Sequence, residues 1–156
     1  MSGNEIAVKC SGITKTFGGV VANDDINLEV KYGEILALLG ENGSGKTTLM
    51  NMLSGIYHPD KGIIAISGKT VAINSPKDSI ALGIGMIHQH FKLVEVFTAA
   101  DNIVAGTKGS LKGKGAVRDE INKISEQLGL EVDPDKKVYN MSVSEKQTVE
   151  ILKVLY

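Results

Sequence analysis

Residues 40–49, "GENGSGKTTL", put three glycines, a lysine and two threonines directly after the apolar run "EILALL". Gly40, Glu41, Asn42, Gly43, Ser44, Gly45, Lys46 and Thr47 satisfy the spacing G-x-x-x-x-G-K-[ST]. Glycines at Gly43 and Gly45 let the main chain wrap closely around phosphate oxygens, with successive N–H groups pointing inward as a nest. The unpaired N–H groups and partial positive charge at the start of a following helix add to that pull. Lys46 is placed to reach the β- and γ-phosphates and the Thr47 hydroxyl to ligate Mg²⁺, with Thr48 supporting the α-phosphate side.

Such a loop works only if regular elements hold it. "EIAVKCSGI", "DINLEV" and "EILALL" are β-branched or alternating and are separated by Gly and Asn/Asp, which predicts three strands before the loop. "KTTLMNMLSG" switches to helical spacing and stops at Gly55. "IIAISG" and "KTVAI" read as a hairpin after the turn "HPDKG". In "NSPKDSIALG", Ser75 caps a helix with Pro76 in its first position and Gly83 beyond its end. "IGMIHQ" then predicts a buried strand. Past residue 97, "TAADNIVAG", "AVRDEINKISEQLG" and "MSVSEKQTVEILKVLY" all carry helical spacing, and the stretch 106–115, "GTKGSLKGKG", has the composition of a solvated connector. Ser142 and Glu145 fit an S-x-x-E capping box at the start of the last helix.

At 156 residues the chain is about one domain in length. With 17 basic and 18 acidic residues there is no electrostatic case for nucleic acid, which is not expected as a partner. Cys10, the one cysteine, has no internal disulfide partner, and no secretion segment is evident, so a cytosolic setting is expected. Apolar stretches such as "IALGIGMI" fall short of the roughly 18 residues a spanning helix requires, so any link to a membrane runs through another subunit. His58, His88 and His90 have no cysteine or carboxylate companions at ligand spacing.

GTPases, kinases and motor-type ATPases share the phosphate loop, but the rest of the chain narrows the choice. "GITKTFGGVVANDDINLEVKYGEILALLGENGSGKTTLMNMLSGIYHPDKGIIAISG", then "MIHQHFKLVEVFTAADNI" and "MSVSEKQTVEILKVLY", resemble the nucleotide-binding subunit of an ATP-binding cassette (ABC) transporter of the simple-sugar or nucleoside importer type. The resemblance implies an α/β fold: a P-loop NTPase core with a mainly parallel sheet and an antiparallel β subdomain over 1–97, then a helical subdomain over 98–156. It implies ATP and Mg²⁺ as cofactors, with Phe17 stacking on adenine and Gln89 contacting Mg²⁺ or the attacking water. Lys46 and Gln89 are the catalytic positions it assigns. It also implies a second ABC ATPase domain as a head-to-tail partner, with the Ser142 and Ser144 helix end facing the partner's γ-phosphate. A transmembrane permease would dock on residues 91–98, making Phe91, Leu93, Val96 and Phe97 contact candidates. The protein would then sit peripherally on the cytoplasmic face of the plasma membrane.

Two departures qualify this. Ser144 stands where the family signature has glycine, and the chain reaches Tyr156 before any apolar run followed by Asp-Glu. The expectation is therefore an N-terminal piece of an import ATPase that binds nucleotide at most by itself. A soluble ABC ATPase, another P-loop switch and a non-hydrolysing binding module stay open as alternatives, although "NKIS" at 122–125 has Ser125 where a guanine reader needs Asp.

Overall fold

The computed structural model describes residues 5–107 and 113–156; residues 108–112, within the connector expected at 106–115, lie outside the described residues. The chain divides into two compact units, a first ending at Ile84 and a second, Gly85–Tyr156.

In the first unit, strands β1 (Ile6–Phe17) and β2 (Val20–Lys31) form a long antiparallel hairpin turned by Gly18 and Gly19. β3 (Lys61–Ile66) pairs with the other edge of β1, and β4 (Lys69–Val71) pairs with β3, giving the order β2-β1-β3-β4. Cys10 and Ile13 are both buried although three residues apart, which a regular strand would send to opposite faces. A register shift between them, with Gly12 at φ 64, resets the alternation. Helix α1 (Lys46–Leu53) lays Leu49 and Met52, one turn apart, into a core with Cys10, Ile13, Ile64 and Ile73. Burial of each such side chain is worth about 1.5–3 kcal/mol. It also pushes the Cys10 thiol pKa up, leaving that sulfur neutral and inert.

As the spacing predicts, helix α2 (Pro76–Ala81) starts at Ser75, whose hydroxyl accepts the Asp78 N–H, and has Pro76 at its first turn. Gly55 and Gly83 follow α1 and α2 with φ of 75 and 81, the left-handed conformation that lets a chain leave a helix.

Two expected strands do not form. "EILALL" and "IGMIHQ" run without sheet hydrogen bonds, and the sheet that the described residues build is antiparallel throughout, not mainly parallel. Apolar, β-branched sequence favours an extended chain, but a strand exists only where a neighbour completes the ladder. No described strand lies alongside either run, and Ile35 (99% exposed) and Leu39 (88%) project into solvent. The mixed α/β character stands.

The second unit is helical, with α3 (Ala99–Val104), α4 (Lys114–Leu128), a short 3-10 turn (Val138–Asn140) and α5 (Val143–Leu155). Ala99, Ile103, Val117, Ile121, Val138, Val149 and Leu152 close its core. Thr98 and Asp101 form a reciprocal capping box on α3. Buried Asn102 then ties the preceding segment down, accepting Val94 N–H at 2.7 Å and donating to the carbonyls of Val94 and Thr98 at 3.0 Å each.

Candidate functional site

The phosphate-loop motif folds as a turn that runs straight into α1. Ser44 N–H donates to the Glu41 carbonyl at 3.2 Å, and Gly43 and Gly45 both take φ 86. Gly45 caps the helix in the left-handed region and gives its first amides no side-chain hydrogen bond, so no cap claims the α1 donors. Lys46 bends back over the loop, its Nζ donating to the carbonyls of Gly40 (2.7 Å) and Glu41 (2.6 Å) and to Ser44 Oγ (3.1 Å). Neutral carbonyls are weaker partners for an ammonium than phosphate oxygens, so a bound anion can draw Lys46 off them. Thr47 is exposed and Thr48 half-buried in the same first turn.

Close packing holds this turn against β2. A Cβ on Gly45 would lie 2.2 Å from the Ala22 carbonyl oxygen, and one on Gly40 2.8 Å from Ser44 Oγ. Asn23, 6% exposed, donates from Nδ2 to the Gly45 carbonyl at 3.3 Å, while its Oδ1 has no partner among the described residues. The cradle thus accepts only glycine at its tightest point. Its chemistry suits a phosphate tail: a helix start with no side-chain cap, an ammonium held on neutral carbonyls and a hydroxyl suited to a hard cation that keeps most of its waters.

Phe17 ends β1 in the same unit, 42% exposed, with Tyr57 edge-on at 5.1 Å between ring centroids. Lys15 Nζ lies 5.4 Å from the Phe17 ring centroid and 2.8 Å from Asp60 Oδ1. The other Asp60 oxygen accepts both the N–H and the hydroxyl of Thr16 at 2.7 Å. Those bonds, that from Lys15 foremost, hold the Asp60 carboxyl far below the ordinary carboxylate range.

Gln89 and residues 91–98 belong to the second unit. Gln89 is exposed, as are Phe91, Val96 and Phe97, whereas Leu93 packs against the helical core. This irregular segment is pinned to α5: Lys92 N–H donates to buried Glu150 at 2.7 Å, Lys153 Nζ to the Lys92 carbonyl at 2.9 Å, and Lys146 Nζ to Glu95 at 2.9 Å.

At the start of α5, Ser142 and Glu145 make the expected capping box, and the Ser144 hydroxyl lies 3.1 Å from that of Ser142. Lys136 Nζ sits 2.6 Å from Glu145 Oε1 and is the main reason the Glu145 pKa falls from 4.5 to about 2, with the Ser142 bonds contributing further. A carboxyl depressed by folding stabilises the native state above its unfolded value and loses that contribution as pH falls toward the folded value. The thermal midpoint of the native protein should therefore drop more steeply than that of Glu145→Gln between pH 4.5 and about 2. Parallel melting curves for the two across that window check it.

The described fold has counterparts among known proteins. The family model described as ABC transporter matches residues 23–156. The chain belongs to the ABC transporter family. The nucleoside import ATP-binding protein NupA of Lactococcus lactis subsp. cremoris is 49% identical over 156 residues, covering 98% of this chain and 31% of that protein. The guanosine import ATP-binding protein NupO of Bacillus subtilis is 50% identical over 156 residues, covering 97% of this chain and 30% of its own length. This ABC chain therefore spans about a third or less of the curated relatives it matches. Among solved structures, cbiO1 from Clostridium perfringens, part of the ABC transporter complex cbiONQ, superposes with a TM-score of 0.80 at 27% identity, over 97% of this chain and 62% of that one. An ATP-binding cassette of an ABC transporter in its ADP conformation gives 0.80 at 25% identity, over 96% and 64%.

Several supports of these candidate residues escape the sequence. Asn23 reads as punctuation in "VVANDD", Asp60 as a turn residue in "HPDKG", and Glu150 as a polar position on a helix. Their partners lie 22, 44 and 58 residues away, so no local spacing announces them.

Proposed function

We propose that this chain is the nucleotide-gripping part of the ATPase subunit of an ABC importer, and that its cargo is a nucleoside or a simple sugar. The observation that carries the reading is the glycine cradle at 40–48, with Lys46 held loosely on two carbonyls and the first turn of α1 open behind it. The loop amides and Lys46 bind the phosphate tail of ATP, Lys46 leaving Gly40 and Glu41 for the β- and γ-phosphates. Thr47 would hold Mg²⁺, whose charge neutralises that developing on the phosphates. Phe17 offers an exposed aromatic face to adenine. Gln89 orients the attacking water.

In the same proposal, residues 1–97 carry the β subdomain and catalytic core and 98–156 the helical subdomain. The α5 helix start at Ser142 and Ser144 meets the γ-phosphate held by a second cassette in a head-to-tail pair. Its amides do so through the same anion preference as α1. Phe91, Val96 and Phe97 receive a transmembrane permease subunit, which would keep the protein on the cytoplasmic face of the membrane. The Ser144 side chain narrows the approach to that second phosphate.

The names of the relatives support the cargo: NupA and NupO are described as importing nucleoside and guanosine. The test is uptake of labelled guanosine and labelled ribose by cells with and without the gene. Loss of guanosine uptake on deletion, restored by the native gene, is the expected result. Unchanged uptake of both solutes would remove the cargo assignment.

A further inference from the structure

At the far end of β1 the pairing on its β3 side runs out before the strand does, while its β2 side stays paired through Phe17 and Val20. β3 begins at Lys61, paired with Thr14, so Thr16 has no β3 residue opposite it. Asp60, the residue just before β3, supplies the missing partner. Its own N–H donates to the Thr14 carbonyl at 2.8 Å, and its carboxylate accepts the Thr16 N–H and hydroxyl. One side chain thus extends the pairing of β1 to the residue immediately before Phe17. The same carboxylate holds the Lys15 ammonium beside the Phe17 ring, and Tyr57, three residues upstream of Asp60, braces that ring edge-on.

We infer that Asp60 and Tyr57 are positioning residues for the base of the nucleotide, fixing the Phe17 ring so that a purine can stack on it. This rests on the proposed role of Phe17 as the adenine platform. Without Asp60 the β3-side edge of β1 would be unpaired beside Phe17, leaving only the β2 side paired, and each purine bound would then have to order a looser ring, at a cost in affinity. Inorganic tripolyphosphate offers the cradle the same anionic tail with no base, so it does not need the platform.

The test compares the affinities of Mg-ATP and magnesium tripolyphosphate, by calorimetry, on the intact native protein and on Phe17→Ala, Asp60→Ala, Asp60→Asn, Tyr57→Ala and Tyr57→Phe. Loss of a stacking aromatic is worth roughly 5-fold or more in affinity for a base, so Phe17→Ala sets the scale for ATP alone. Asp60→Ala and Tyr57→Ala should weaken ATP by about 3-fold or more while leaving tripolyphosphate within twofold, a fraction of that stacking effect. Asp60→Asn keeps an acceptor for Thr16 and Tyr57→Phe keeps the ring, so both should recover most of the loss. Equal weakening of ATP and tripolyphosphate in Asp60→Ala and Tyr57→Ala would overturn the inference by showing a merely structural role. So would native ratios in both beside a discriminating Phe17→Ala, with the adenine platform itself intact. A Phe17→Ala protein with an unaltered ratio would bring down the platform, and this inference with it.

Discussion

Lys46→Ala abolishes ATP turnover by the intact cassette protein while both units stay folded. Among the described residues the Lys46 ammonium hydrogen-bonds to Gly40, Glu41 and Ser44 at 2.6–3.1 Å, all in an exposed loop. Apolar burial by Leu49 and Met52, not by Lys46, fastens α1 to the sheet. Removing the ammonium therefore costs little stability. Its loss is felt when charge builds on the transferring phosphoryl group, where one well-placed donor is worth roughly 10²–10³ in rate. Steady-state phosphate release shows the loss of rate, and circular dichroism with a melting curve shows the retained fold. A variant that turns over at the native rate contradicts the role given to Lys46.

Gly45→Ala is the second large effect, and it acts on structure first. Gly45 has φ 86, and a Cβ there would come 2.2 Å from the Ala22 carbonyl oxygen and 2.8 Å from Asn23 Nδ2. Backbone meets backbone on one side, so no rotamer change relieves the contact. The left-handed conformation costs a non-glycine residue about 1–2 kcal/mol. Forcing β2 and α1 apart adds about 1–3 kcal/mol. Gly43→Ala is the internal control: it has the same φ of 86 but nothing within 4 Å of its Cβ, so only the conformational cost applies. Chemical denaturation should show Gly45→Ala losing at least about twice as much stability as Gly43→Ala, and losing ATP binding as well. Equal losses would mean that the approach to Ala22 is not a tight constraint.

How much of this was legible in the sequence differs by element. The strands "EIAVKCSGI" and "DINLEV" could be read from their local β-branched, alternating residues, whereas their extension to Phe17 and from Val20, which closes the hairpin at Gly18 and Gly19, could not. The caps at Ser75 and Ser142 are local too, each bonded to a residue three positions on. "EILALL" and "IGMIHQ" were misread as strands for the opposite reason: their composition is that of buried strands, but a ladder depends on a neighbour that periodicity cannot supply. Within the site, the glycine spacing announced the cradle because a phosphate nest is built from consecutive residues. What keeps it in place, Asn23 against Gly45, and what braces the end of β1 beside Phe17, Asp60 against Thr16, are made by chain folding back on itself over long separations and left no trace in local pattern.

The central claim is that the turn at 40–48 holds the phosphate tail of ATP through its amides and Lys46. Calorimetric titration of the intact protein with Mg-ATP, alongside Lys46→Ala, tests it most directly. The native protein should give a saturating, exothermic isotherm that Lys46→Ala weakens severely. No heat from the native protein, or superimposable isotherms for the two, would contradict it.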